Sequence, residues 1–93
     1  MKIAFTEPGW NDYLWFLEND KRLLKRINLL IKDASRSPFE GIGKPEPLKG
    51  DLSGHWSRRI TEEHRLVYTA TPSELVIIAC KFHYNDSRTK TKS

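Results

Sequence analysis

Long apolar runs are missing from this chain of 93 residues. Nothing in it approaches the ~20 residues that cross a bilayer. Met1-Lys2 leads into only three apolar residues before Thr6, so neither a transmembrane helix nor a signal peptide is expected. Cysteine is nearly absent too. Cys80 stands alone, which excludes an internal disulfide and suits a reducing cytoplasm. His55, His64 and His83 do not stand with Cys80 at metal-ligand spacing, so no zinc site is expected. There is no internal repeat and no room for two independent cores. Acidic residues are in modest deficit, 12 against 16 Lys plus Arg, for a formal charge of +4. That suggests an anionic partner such as nucleic acid, but weakly. A hydrophobic content of 38% with 11% aromatic supports a folded chain.

What is present reads in a clear order. Residues 2–6 form a short strand, closed by Glu7-Pro8-Gly9, with Pro8 suited to the first turn of a helix. Trp10, Tyr13, Leu14 and Leu17 then make a helical stripe. Asn19-Asp20 interrupts it and offers a cap for a second stripe of Leu23, Leu24, Ile27, Leu30, Ile31 and Ala34. The outer face of that second helix carries Lys21, Arg22, Lys25, Arg26 and Lys32, and it ends before Ser37-Pro38. Three of the five prolines and four of the five glycines fall within residues 38–54, a long connection with at most a short extended piece at 46–49. Three strand-like runs follow, at 56–61, 65–71 and 75–84, and the polar stretch 85–93 reads as a frayed tail.

The expectation is an α+β fold: an antiparallel sheet built from a meander of the C-terminal strands plus the N-terminal strand, with two helices packed on one face. In the last strand Val76, Ile78, Cys80 and Phe82 are expected to meet the helices, and Leu75, Ile77, Ala79, Lys81 and His83 to face away. Whether Arg59 shares a face with Arg65 depends on the turn between them. A three-residue turn at 62–64 aligns them and a two-residue turn separates them.

If the arginines share the open face with His83, and Glu46 and Lys49 reach over from the loop, the chain holds what metal-free RNA cleavage requires. A carboxylate such as Glu46 can take the 2′-hydroxyl proton. Guanidinium forks and a lysine neutralise charge on the phosphoryl oxygens. An imidazole near neutrality can protonate the leaving 5′-oxygen. Tyr84 and Trp56 offer flat surfaces for single-stranded bases. Plainer readings stand beside these: Glu46 as a solvated loop acid, Arg58 and Arg59 as surface partners of Glu62 and Glu63, His83 as an idle exposed ring. His55 and His64 are taken as turn-flanking residues without a role. Trp10, Tyr13 and Trp15 are read as core or partner surface.

The run Pro38-Phe39-Glu40-Gly41-Ile42-Gly43-Lys44-Pro45-Glu46-Pro47-Leu48-Lys49, followed by Leu52 to Tyr68, resembles the YoeB/Txe-type toxins of the RelE-like superfamily. The likeness extends to His83-Tyr84. It implies a RelE-like, microbial-ribonuclease-like fold in a domain spanning 1–84, with 85–93 as an added basic tail of net +2. It implies a cytoplasmic, ribosome-dependent messenger RNA endonuclease without a cofactor, neutralised by a YefM-like antitoxin. It places the base on Glu46, phosphate stabilisation on Arg65 and the acid on His83, with Lys49, Arg59 and Tyr84 as substrate or phosphate contacts. Operator DNA is reached only through the antitoxin complex, and a homodimer is left open. The alternative is a nucleic-acid-binding co-repressor partner without catalysis.

Overall fold

The computed structural model describes residues 1–82; His83, Tyr84 and the tail 85–93 lie outside the described residues. Strand β1 (Lys2–Phe5) leads into α1 (Glu7–Asn19) and α2 (Lys21–Arg36). The long connection contains β2 (Glu46–Pro47) and one 3-10 turn (Gly50–Leu52). Then come β3 (Trp56–Arg59), β4 (Arg65–Ala70) and β5 (Glu74–Ala79). No described helix is long and apolar enough to cross a membrane.

Both helix starts are fixed by side-chain caps. Thr6 Oγ1 accepts from Gly9 N–H at 3.1 Å and donates to the Ile78 carbonyl at 3.0 Å, so one hydroxyl both caps α1 and ties it to β5. Asp20 accepts from Leu23 N–H at 3.1 Å and starts α2 directly after α1 ends. The pair then lies on one face of a five-stranded sheet ordered β1-β5-β4-β3-β2. The β2–β3, β3–β4 and β4–β5 pairings are antiparallel, and β1 runs parallel to β5, which makes the sheet mixed. Phe16, Ile27, Leu30 and Ala34 from the helices meet Leu66, Tyr68, Leu75 and Ile77 from the sheet in the main core. Each Phe, Ile or Leu side chain among them stabilises the fold by about 1.5–3 kcal/mol relative to exposure.

The facing of β5 corrects the sequence expectation. Leu75 and Ile77 are fully buried against the helices and the half-buried Ile78 packs on the other face, each opposite to the expectation, whereas Ala79 faces away as expected and packs with Leu48 and Val67. Cys80 does reach the helix side. The reason is a bulge: Val67 pairs with Ala79 but Tyr68 pairs with Ile77, leaving Ile78 as an extra residue. One inserted residue inverts the alternation on one side of it.

At the opposite edge from β1, the sheet stops at β2, a two-residue strand that contains Pro47 and follows Pro45.

Candidate active site

The site is assembled by register. Leu66 and Tyr68 point into the helix-side core, so Arg65 and Val67 point the other way. On that open face Glu46 of β2 lies opposite Ser57 of β3, which lies opposite Val67 of β4. Two residues along, Arg59 lies directly opposite Arg65. Opposed residues of an antiparallel pair share a face, so Glu46, Arg59 and Arg65 converge on one side of the sheet. Sheet spacing puts the Cα atoms of Glu46 and Arg65 about 12 Å apart. The connection between the arginines is longer than either turn considered: residues 60–64 close it, with Ile60 and Thr61 N–H both donating to the His64 carbonyl.

Arg65 is buried and held. Its Nη1 donates to the carbonyls of Thr61, Glu62 and His64. Nε and Nη2 have no acceptor among the described residues. The turn thus fixes the guanidinium through one nitrogen and leaves the rest of the fork for an anion. Arg59 is exposed, its backbone anchored by its N–H to Gly43 O at 2.7 Å and by Arg26 Nη2 to its carbonyl at 3.2 Å. Lys49 is exposed at the end of β2, where the Leu48 N–H to His55 O bond continues the β2–β3 pairing. Leu48 itself is buried on Val67 and Ala79, which seats the loop that carries Glu46 and Lys49. The open face combines the Glu46 carboxylate with the Arg59 and Arg65 guanidiniums, suited to a substrate that loses a proton while its phosphate gains charge, and Lys49 lies in the adjoining loop. No group of three or more His, Cys, Asp and Glu able to hold a metal ion occurs among the described residues.

Two sequence readings are corrected here. Trp56 is not at this site: it lies on the helix-facing side, packed on the core, with its ring 4.8 Å from that of Phe39. Arg58 is no surface partner of Glu62 or Glu63 but is fully buried and bound to Asp33 at 2.7 Å.

The profile of the YoeB-like toxins of bacterial type II toxin–antitoxin systems matches residues 5–84. The chain belongs to this family. A YoeB toxin of Synechocystis is 71% identical over 84 residues, 90% of this chain and 98% of the relative. Among solved structures, a YoeB/ParE toxin from Agrobacterium tumefaciens superposes with a TM-score of 0.87 at 52% identity, covering 90% of this chain and 100% of that one. The Staphylococcus aureus YoeB, 48% identical over 90% of this chain and 98% of its own, has been solved as a dimer with a TM-score of 0.84 and as a heterotetrameric YoeB–YefM complex with 0.83.

Within this YoeB-like frame, two buried residues escaped the sequence reading. Arg58 Nε donates to Tyr68 Oη at 2.9 Å, Nη1 to Asp33 Oδ2 and Ile42 O, and Nη2 to Ser37 O at 2.6 Å and Glu40 O at 2.9 Å. Tyr68 Oη in turn donates to Pro38 O at 2.6 Å. The guanidinium beside Asp33, first by hydrogen bond, holds that carboxyl below the usual range, and burial pushes the Tyr68 phenol up. These bonds fasten residues 37–42 to the sheet upstream of Glu46. His64 is the second: buried, with its Nδ1 accepting from Phe82 N–H at 2.7 Å and its ring edge-on to Phe16 at 5.1 Å. Burial, above all, lowers its pKa. No sequence signal marks either residue, because their partners, side-chain and backbone alike, come from segments distant in the chain.

Proposed function

We propose that this chain is a ribosome-dependent messenger RNA endoribonuclease that halts translation and is neutralised by a YefM-like antitoxin. The observation that carries the reading is the convergence of Glu46, Arg59 and Arg65 on one face of a YoeB-like toxin. Glu46 carboxylate takes the proton of a 2′-hydroxyl. The 2′-oxygen attacks the adjacent phosphorus, the bond from phosphorus to the 5′-oxygen breaks, and His83 protonates that leaving oxygen. The products are a 2′,3′-cyclic phosphate and a 5′-hydroxyl. Arg65 and Arg59 neutralise the phosphoryl oxygens as charge builds on them, and Lys49 and Tyr84 hold the substrate strand.

Dependence on the ribosome follows from charge and shape. A net +4 spread over a small domain holds RNA weakly. The cationic face of α2, together with Lys44 and Lys49, supplies a complement to ribosomal RNA. The antitoxin segment is acidic and largely disordered until it binds, since it has to cover a basic face; the Staphylococcus aureus relative's complex with YefM supports such a partner. The same relative's dimer supports a homodimer of this chain.

The test is in vitro translation with wild-type protein beside His83→Gln, with messenger ends mapped. Ribosome-dependent cuts ending in cyclic phosphate, absent with His83→Gln, are expected. Efficient site-selective cleavage of naked messenger at physiological salt overturns the ribosome dependence, and no cleavage in either setting overturns the enzymatic reading.

A further inference from the structure

The chain leaves β5 through Lys81 and Phe82, and Phe82 is gripped on both sides. Its N–H donates to His64 Nδ1 at 2.7 Å, and its carbonyl accepts from the Arg65 N–H at 3.2 Å. Its φ is +64°, a left-handed conformation that residues with a side chain seldom adopt without being held there. The His64 ring that does the holding is wedged between the Phe16 ring at 5.1 Å and the Phe82 ring at 5.6 Å, while Lys81 Nζ covers the Phe82 ring at 5.1 Å. Consecutive residues at the start of β4 therefore grip the main chain at Phe82, and one of them, Arg65, also belongs to the candidate active site.

We propose that His64 is a positioning residue: it clamps Phe82, the residue before His83, in its left-handed turn, and protonation of the ring releases the clamp. This rests on the reading of His83 as the acid. The chemistry of the clamp is narrow. A main-chain N–H needs a lone pair on Nδ1, so the neutral ring carries its hydrogen on Nε2, the nitrogen that lies 3.7 Å from Glu63 Oε1. A second proton would go to Nδ1 and set two donors against each other. Glu63 on the same turn, Asp12 on α1 and Asp20 between the helices favour that proton, whereas burial and Lys81 oppose it. Burial dominates, so the accepting form persists to more acid pH than in a free imidazole.

The test follows the Phe82 amide by ¹⁵N NMR in the full chain from pH 8 to 5. In the wild type it is expected to be protected from exchange at pH 8 and to lose protection, with a shift change, below about pH 6.5. In His64→Asn the side-chain carbonyl stands near the place of Nδ1 and does not titrate, so protection persists across the range. In His64→Leu it is lost throughout. On ribosomes, His64→Leu is expected to slow single-turnover cleavage on the order of 10²-fold, the scale of a small misplacement of a catalytic group, at unchanged half-saturating ribosome concentration. His64→Asn restores most of the rate. A wild-type Phe82 amide that is unprotected or indifferent to pH overturns the clamp. So does a folded His64→Leu that cleaves at the wild-type rate. If His64→Leu does not fold, His64→Asn decides by the same two measurements, and an exposed amide or a rate as low as that of His83→Gln overturns the clamp. Should wild-type protein fail to cleave, or His83→Gln cleave fully, the enzymatic reading fails while the amide measurement still judges the clamp.

Discussion

Arg58 and Arg65 are both buried arginines of the central strands, and their hydrogen bonds separate their uses. Every nitrogen of Arg58 is taken by Tyr68, Asp33 and three loop carbonyls, so it has nothing left for a ligand. Arg65 spends one nitrogen on its own turn, and its other two have no acceptor among the described residues. Arg58→Met should therefore lower the midpoint of urea unfolding, since it leaves Tyr68 Oη and three loop carbonyls without their donor. Asp33, whose pKa lies below its ordinary value, binds fewer protons folded than unfolded. It adds stability above about pH 4 that is lost as pH falls through the folded value, and Asp33→Asn should lack that step in acid titrations. Arg65→Ala should lower the cleavage rate without altering its pH profile, since a guanidinium does not titrate in this range. Glu46→Gln should instead remove the acidic limb and His83→Gln the basic limb of single-turnover profiles, each at a cost of roughly 10²–10⁴-fold. A wild-type profile in both of those variants would sink the assignment. The common face of Arg59 and Arg65 was not legible, since it depended on how residues 60–64 close the turn. Glu46, Arg59 and Arg65 themselves were singled out by residue type and the resemblance. Arg58 was not, because four of its partners are contributed by the Ser37–Ile42 loop and α2, whose placement no local pattern encodes.

Elements were legible where their signals are local. The two helical stripes, the Asp20 cap of the second and the order of strands along the chain needed only periodicity and turn chemistry, whereas the Thr6 cap of α1 was read as strand. The face of β5 needed a pairing register, and the bulge at Ile78 shifts that register without any glycine to announce it. Gly9 illustrates the same dependence on tertiary context. In an exposed helix, Gly→Ala stabilises by about 1 kcal/mol. Here α1 lies so close to β5 that a Cβ on Gly9 would collide with the main chain of Ile77 and Ile78. Gly9→Ala should thus reverse the ordinary sign and destabilise by about 1–3 kcal/mol, read from thermal or urea unfolding. A stabilised variant would show that α1 can shift on the sheet.

For the molecule as a whole, charge sets the terms on which it meets its partners. Lys21, Arg22, Lys25 and Lys32 of α2 are all exposed, and Arg26 is partly engaged with the Arg59 carbonyl. Replacing Lys21, Arg22 and Lys25 together with glutamine should weaken ribosome association and flatten its dependence on salt. The log–log slope should become shallower by about 0.7–0.9 for each phosphate that the variant no longer neutralises. Cleavage by ribosome-bound variant should keep the wild-type rate, because these residues lie on the helical layer and not on the open face. An unchanged salt slope would move the docking surface elsewhere. The two edges of the sheet also differ. Proline has no N–H to offer a neighbouring strand, so Pro45 and Pro47 leave the β2 margin unable to template further pairing, whereas β1 carries no proline. Strand addition is thereby disfavoured at the margin that carries Glu46, which keeps the rim of the candidate site from being sealed by further copies of the chain.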